Sequence, residues 1–84
     1  MMKETDMKLN IAIRYCSEWN YLPQASSLAA AIKDKFGLET NLIADHNGIF
    51  EVSVNDRIIY NNKEYGGKFP DHGEIINAIS GLSE

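Results

Sequence analysis

From Lys8 to Tyr15 the chain reads KLNIAIRY, with Leu9, Ile11 and Ile13 at every second position and the small Ala12 between them. A period of two belongs to a strand, and a small residue on the second face suits a central strand buried on both sides. The polar and aromatic stretch CSEWNYLP then breaks the pattern. Beyond it the spacing changes to three and four, through Leu22, Ala25, Leu28, Ala29, Ile32 and Phe36. Read from Pro23 onward, that run is rich in good helix formers and predicts an amphipathic helix, which Gly37 stops. LETNLIAD follows as a second strand, marked by Leu38, Asn41 and Ile43, and His46, Asn47 and Gly48 form a turn. GIFEVSV is the clearest strand, with Ile49, Phe50, Val52 and Val54 in a β-rich alternation. Asn55-Asp56 makes a two-residue turn, with Asp where Gly is usual, and RIIYN returns as the fourth strand. NNKEYGGKFPD reads as a polar loop. Asp71 followed by Glu74 is a loose capping box, and Ile75, Ile76, Ala78, Ile79 and Leu82 give the last helix its apolar face.

The order is therefore β-α-β-β-β-α, without internal repeats or low-complexity segments. A strand, helix and strand in sequence call for a right-handed crossover between parallel strands. The third and fourth strands pair as an antiparallel hairpin. The expected architecture is α/β and thioredoxin-like, a mixed four-stranded sheet covered by helices.

Composition narrows what such a domain does. The 84 residues have room for one core, expected over 8–84 behind a flexible lead at 1–7. A hydrophobic share of 44% with 24% charged residues argues against disorder. A net charge of -4 gives no electrostatic grip on nucleic acid or anionic lipid. No apolar run approaches the roughly 20 residues of a membrane span. The opening MMKETDMK lacks the apolar stretch of a secretory signal, so the cytoplasm is the expected location. Cys16 is the single cysteine, which excludes an intrachain disulfide and a cysteine cage for zinc. His46 and His72 have no partner at ligand spacing and read as solvated residues at a turn and a helix start, so no metal site is expected. Gly66 and Gly67 do not sit between a strand and a helix in the manner of a phosphate cradle.

At YCSEWNY the chain resembles the selenoprotein W/T/H family, whose bacterial relatives are called Rdx proteins. Those proteins carry Cys-x-x-Cys or Cys-x-x-selenocysteine at this junction between first strand and first helix. NGIFEVSVNDRIIYNN is similar to the family's glycine-Phe-Glu-Val strand and hairpin. GGKFPD resembles its Gly-Gly-Phe-Pro-acid motif, with Lys68 inserted. The resemblance runs in order from Leu9 to Leu82 and implies a thioredoxin-like fold and thiol redox chemistry. It departs at one position: counting from Cys16, the second redox residue falls on Trp19. An indole cannot form or resolve a disulfide, so the dithiol chemistry does not carry over.

Two readings of the site follow. In the first, Cys16 is a single nucleophile that exchanges with glutathione or a protein thiol, and no other cofactor is implied. The thiolate is the reactive form, and a free cysteine is only a few per cent ionised at neutral pH. Unpaired N–H groups at the start of the following helix would stabilise the anion, and Glu18 in the same loop would oppose it. This reading requires an exposed thiol. If Cys16 is instead a small half-buried residue at a strand end, it is idle. In the second reading the domain is a binding module without catalysis. Tyr15, Ser17, Glu18, Trp19 and Tyr21, with Phe69 and Pro70, would then form a docking surface, because Trp and Tyr bury much area at little entropic cost. Trp19 could equally fold down as a lid on the small core.

Overall fold

The computed structural model describes residues 9–83; the expected lead at 1–7 lies outside the described residues. Strand β1 (Ile11–Cys16) leads through a turn into helix α1 (Leu22–Phe36), followed by β2 (Thr40–Asp45), β3 (Phe50–Val54), β4 (Arg57–Asn61), a short 3-10 helix (Asn62–Tyr65) and α2 (His72–Ser83). The sheet order is β2-β1-β3-β4. β1 runs parallel to β2 and antiparallel to β3, and β3 and β4 form an antiparallel hairpin. The expected β-α-β-β-β-α order and mixed four-stranded sheet are both present.

The register explains where the core sits. Ile11 faces Val54, Ile13 faces Val52 and Tyr15 faces Phe50, while Tyr60 on β4 lies opposite Val52. These rows form one face of the sheet. They share a single buried cluster with Ala25, Leu28 and Ile32 of α1 and with Ile75 and Ile79 of α2. Both helices therefore cover the same face. Each fully buried Ile, Leu, Val or Phe in this layer contributes about 1.5–3 kcal/mol of transfer free energy.

The other face is open, and here the structure departs from the strand pattern. Ala12 is only partly buried and Arg14 is exposed, so β1 is central in the sheet yet covered on one side. Arg14 instead anchors a polar row across the open face. Its guanidinium lies 3.3 Å from Asp45 on β2 and 3.4 Å from Glu51 on β3, and Asn61 Nδ2 donates to Glu51 at 3.1 Å. A two-layer sheet needs alternation on its central strand, and the small Ala12 fits beneath no second helix layer.

Smaller differences have local causes. Leu22 and Leu82, placed on the apolar faces of the helices, stand at helix ends and are exposed. The helix begins at Leu22, one residue before Pro23, which occupies the first turn where its missing N–H leaves no bond unmade. Gly37 closes α1 in the left-handed conformation, its N–H donating to the Lys33 carbonyl at 2.7 Å. The second strand starts at Thr40, leaving Leu38 in the connection but packed on the core. β4 carries a bulge, since Tyr60 faces Val52 while Ile58 faces Ser53, which leaves Ile59 as the extra residue. The Asn55-Asp56 turn places both residues at positive φ (52° and 70°), the mirror-image turn that suits strand twist. The polar stretch after β4 is partly ordered as the 3-10 helix, whose first turn is capped by the Asn61 side chain accepting from the Lys63 N–H at 2.9 Å.

Candidate functional site

Cys16 ends β1, and its backbone is tied on both sides. Its N–H donates to the Ile49 carbonyl at 2.9 Å, and its carbonyl accepts from the Tyr21 N–H at 3.1 Å. The intervening residues form a tight turn closed by the Asn20 N–H to the Ser17 carbonyl at 3.2 Å, with Asn20 at φ 61°. Ser17 is held to the neighbouring strand end by its N–H, which donates to the Asp45 carbonyl at 3.1 Å. The thiol itself is fully buried, at 0% exposure, so the exposed thiol that the exchange reading calls for is not found in this conformation, and the residue is more deeply buried than the half-buried strand end of the idle reading. It is buried without belonging to the main apolar cluster.

The electrostatic surroundings differ from those the sequence suggests. α1 does not begin until Leu22, so the turn and Tyr21 separate Cys16 from the helix. Arg14, the nearest cation along the chain, is paired with Asp45 and Glu51. Glu18 turns to His46, whose Nδ1 lies 3.5 Å from its carboxylate. That contact spans the two loops of the site, and it gives His46 a structural connection that its place in a turn does not disclose.

Trp19 is 61% exposed, and one part of its ring rests on the buried Gly48. A Cβ at Gly48 would stand 2.6 Å from Trp19 Cζ3, and the φ of 68° there is left-handed. Gly48 therefore serves two requirements at once, a turn conformation and a flat seat for the indole. The exposed reading of Trp19 therefore holds and the core-lid reading does not: the ring covers Gly48 in the turn, presents most of its surface and does not pack on the core cluster.

From Trp19 a chain of edge-to-face aromatic contacts leads into the core. Its ring centroid lies 6.1 Å from Tyr21, Tyr21 lies 4.7 Å from Phe69, and Phe69 lies 5.2 Å from Phe50. Phe69 is 39% exposed, Pro70 is half-buried, and Ser17 and Glu18 are exposed. Tyr15 and Tyr21 pack against the core. Trp19, Tyr21 and Phe69 are thus brought together, and Tyr15 is drawn down onto the helix-covered face of the sheet.

The structure adds a residue that sequence reasoning missed. Asn62, at 1% exposure, accepts from the Phe50 N–H at 2.9 Å and donates from Nδ2 to the Gly48 carbonyl at 2.9 Å. It clamps the strand entry on which Trp19 sits, and Lys63 Nζ reinforces it by donating to the Asn47 carbonyl. In sequence Asn62 is one of two consecutive asparagines opening a polar loop, which carries no signal of burial. Among the described residues no group of three or more His, Cys, Asp or Glu side chains could hold a metal ion. No helix among them is long and apolar enough to cross a membrane.

Comparison with known proteins places this geometry. The model of the Rdx family matches residues 10–81. A crystal structure of a selenoprotein W-related protein from Vibrio cholerae superposes with a TM-score of 0.85 at 28% identity, covering 92% of this chain and 99% of that one. A crystal structure of a protein from Bordetella parapertussis gives 0.82 at 26% identity, covering 88% and 96%. Among curated proteins the chain is similar to migration and invasion enhancer 1 from Bos taurus, at 29% identity over 72 residues. It is also similar to migration and invasion enhancer 1 from Mus musculus, at 27% over 77 residues. Those alignments take in 84% and 90% of this chain but only 62% and 66% of the relatives' lengths.

Proposed function

The chain belongs to the Rdx family, and from that premise we propose that it is a thiol redox protein with Cys16 as its single nucleophile. The observation that carries this reading is the position of Cys16, at the end of β1 where strand passes to turn and helix; because the thiol is buried, exchange takes place only from a conformation in which it is uncovered. With Trp19 at the second redox position, any disulfide that Cys16 forms must be resolved by another molecule.

The chemistry is thiol–disulfide exchange. The Cys16 thiolate attacks the glutathione sulfur of a glutathionylated protein. The new S–S bond forms as the old one breaks, and the leaving sulfur departs as a thiolate and takes up a proton. A second glutathione thiolate then attacks the glutathione sulfur of the mixed disulfide. This frees Cys16 and yields glutathione disulfide, so that electrons balance over the cycle. The test is turnover of a glutathionylated peptide by reduced glutathione. The wild-type protein accelerates it, and Cys16→Ser abolishes the acceleration. Equal rates with and without wild-type protein would remove the reading.

A second reading is favoured by the exposure of Trp19 and Phe69, joined through Tyr21. In it the aromatic surface docks a protein partner, and Cys16 has no part. Binding that survives Cys16→Ser but not Trp19→Ala would select this alternative.

A further inference from the structure

We infer that β2 is a self-pairing edge: a second copy of this chain sets its own β2 antiparallel against it, about a two-fold axis through Ile43, and joins two four-stranded sheets into one. The inference goes beyond the Cys16 reading and does not depend on it. Its physical basis is a difference between the two edges of the sheet, together with the register that the residues of β2 allow.

The sheet order leaves β2 and β4 at the edges, and among the described residues β2 pairs only with β1. Edge strands are commonly guarded against further pairing by bulges, prolines or charges. β4 is guarded: it opens on the charged Arg57 and is interrupted by the bulge at Ile59. β2 is not. Its pairing with β1 runs without a register shift from Thr40 to Asp45, and it carries no proline and no charge before Asp45. Asn41, Leu42, Ile43 and Ala44 are all exposed, the two large apolar side chains at 37% and 40%. The Asp45 carbonyl accepts from the Ser17 N–H at the end of β1, so the backbone groups of Asp45, Ile43 and Asn41 turn inward. Those of Thr40, Leu42 and Ala44 point outward from the edge, where a further strand would meet them.

An added antiparallel strand must set outward-pointing residues opposite one another and keep each side chain on its own face of the sheet. Leu42 lies beside Ile13 on the helix-covered face, and Ile43 lies beside Arg14 on the open face. With Ile43 on the axis, Leu42 faces Ala44 of the second copy, large against small. On the open face Ile43 faces itself, and Asn41 faces the second copy's Asp45, an amide donor against a carboxylate acceptor. Every such contact is made twice, as a two-fold interface requires. A shift of two residues one way centres Leu42 and sets Asp45 against Glu39. The opposite shift centres Ala44 and sets Ile43 against Asp45. Like charges directly opposite are destabilising, and so is a carboxylate covered by an apolar side chain. The residue pattern therefore selects the Ile43 register. A single strand edge is a small interface, so the pair is reversible and depends on concentration.

The test is disulfide cross-linking of single-cysteine chains by diamide, each made together with Cys16→Ser so that the native thiol takes no part. Residues facing each other at a non-hydrogen-bonded antiparallel pair have Cα atoms about 4.5 Å apart, within the roughly 4.4–6.8 Å that a disulfide spans. Ile43→Cys should therefore give linked dimer at least about tenfold faster than Ile58→Cys at equal concentration, a difference of about 1.4 kcal/mol. Ile58 is the stricter control because it is more exposed, at 56%, and lies on the same open face at the other edge. Equal rates at the two positions would overturn the pairing, and a faster rate for Leu42→Cys would overturn its register. Sedimentation equilibrium of the unmodified chain supplies a second readout. Self-association that rises with concentration and is lost in Ile43→Lys, with the urea midpoint unchanged, supports the inference. A chain that stays monomeric up to its solubility limit, or association that survives Ile43→Lys, overturns it.

Discussion

At the scale of single residues, the site is defined as much by Asn62 and Gly48 as by Cys16. The asparagine gives both its donor and its acceptor to backbone groups fourteen and twelve residues away. Asn62→Ala leaves the Phe50 N–H and the Gly48 carbonyl without these partners, and the expected loss of stability is about 1–3 kcal/mol. Urea denaturation measures it directly, as a lower midpoint with the slope unchanged. A loss below experimental error would mean that water replaces the side chain without cost and that the Gly48–Phe50 segment is not held by it. None of this was legible in the sequence, because a buried asparagine and a solvated one look alike when both follow a strand. Cys16 and Trp19 could be found, since their spacing matches a family motif with one position changed. Their burial could not, because alternation along β1 fails at its last residue, where the chain turns.

At the scale of elements, the hairpin and the helices were legible because their apolar spacing is regular and long. The 3-10 helix was not, since four polar and aromatic residues carry no period. Its effect is to bring Tyr65 onto Tyr60, with ring centroids 4.8 Å apart and planes 7° from parallel. Tyr60 also donates from its hydroxyl to the Lys68 carbonyl at 2.8 Å, tying β4 to the loop that carries Phe69. Burial, with smaller contributions from Glu74 and Tyr65, raises the Tyr60 pKa above its ordinary value of 10.0. The folded state therefore holds this proton more tightly than the unfolded chain. The stability linked to Tyr60 is present in full below about pH 10 and is lost as pH rises through the folded-state pKa. Urea midpoints compared at pH 9 and pH 11, on either side of the ordinary tyrosine value near 10, should fall for wild type. Tyr60→Phe should lower the midpoint at the lower pH, through the lost hydrogen bond, and flatten the fall. An equal fall in both proteins would assign the pH dependence to other groups.

At the scale of the molecule, one sheet face carries the whole helix layer and the other is open, crossed by the polar row that Arg14 organises and flanked by the exposed Ile43 and Ile58. The sequence pattern placed β1 in the middle of the sheet, which is where it lies, but the small Ala12 was an ambiguous sign of a second covering layer. A domain of this size buries a modest share of its surface, so the helix-covered core has little stability in reserve. The central claim is that Cys16 of this Rdx family member exchanges disulfides with a glutathione or protein partner. Its most direct test is intact mass after incubating the native protein with glutathione disulfide, followed by reduced glutathione. The account predicts one glutathione adduct on the wild-type chain, absent in Cys16→Ser and removed by the second step. A native protein that stays unmodified, while the urea-unfolded chain takes up the adduct, would contradict it.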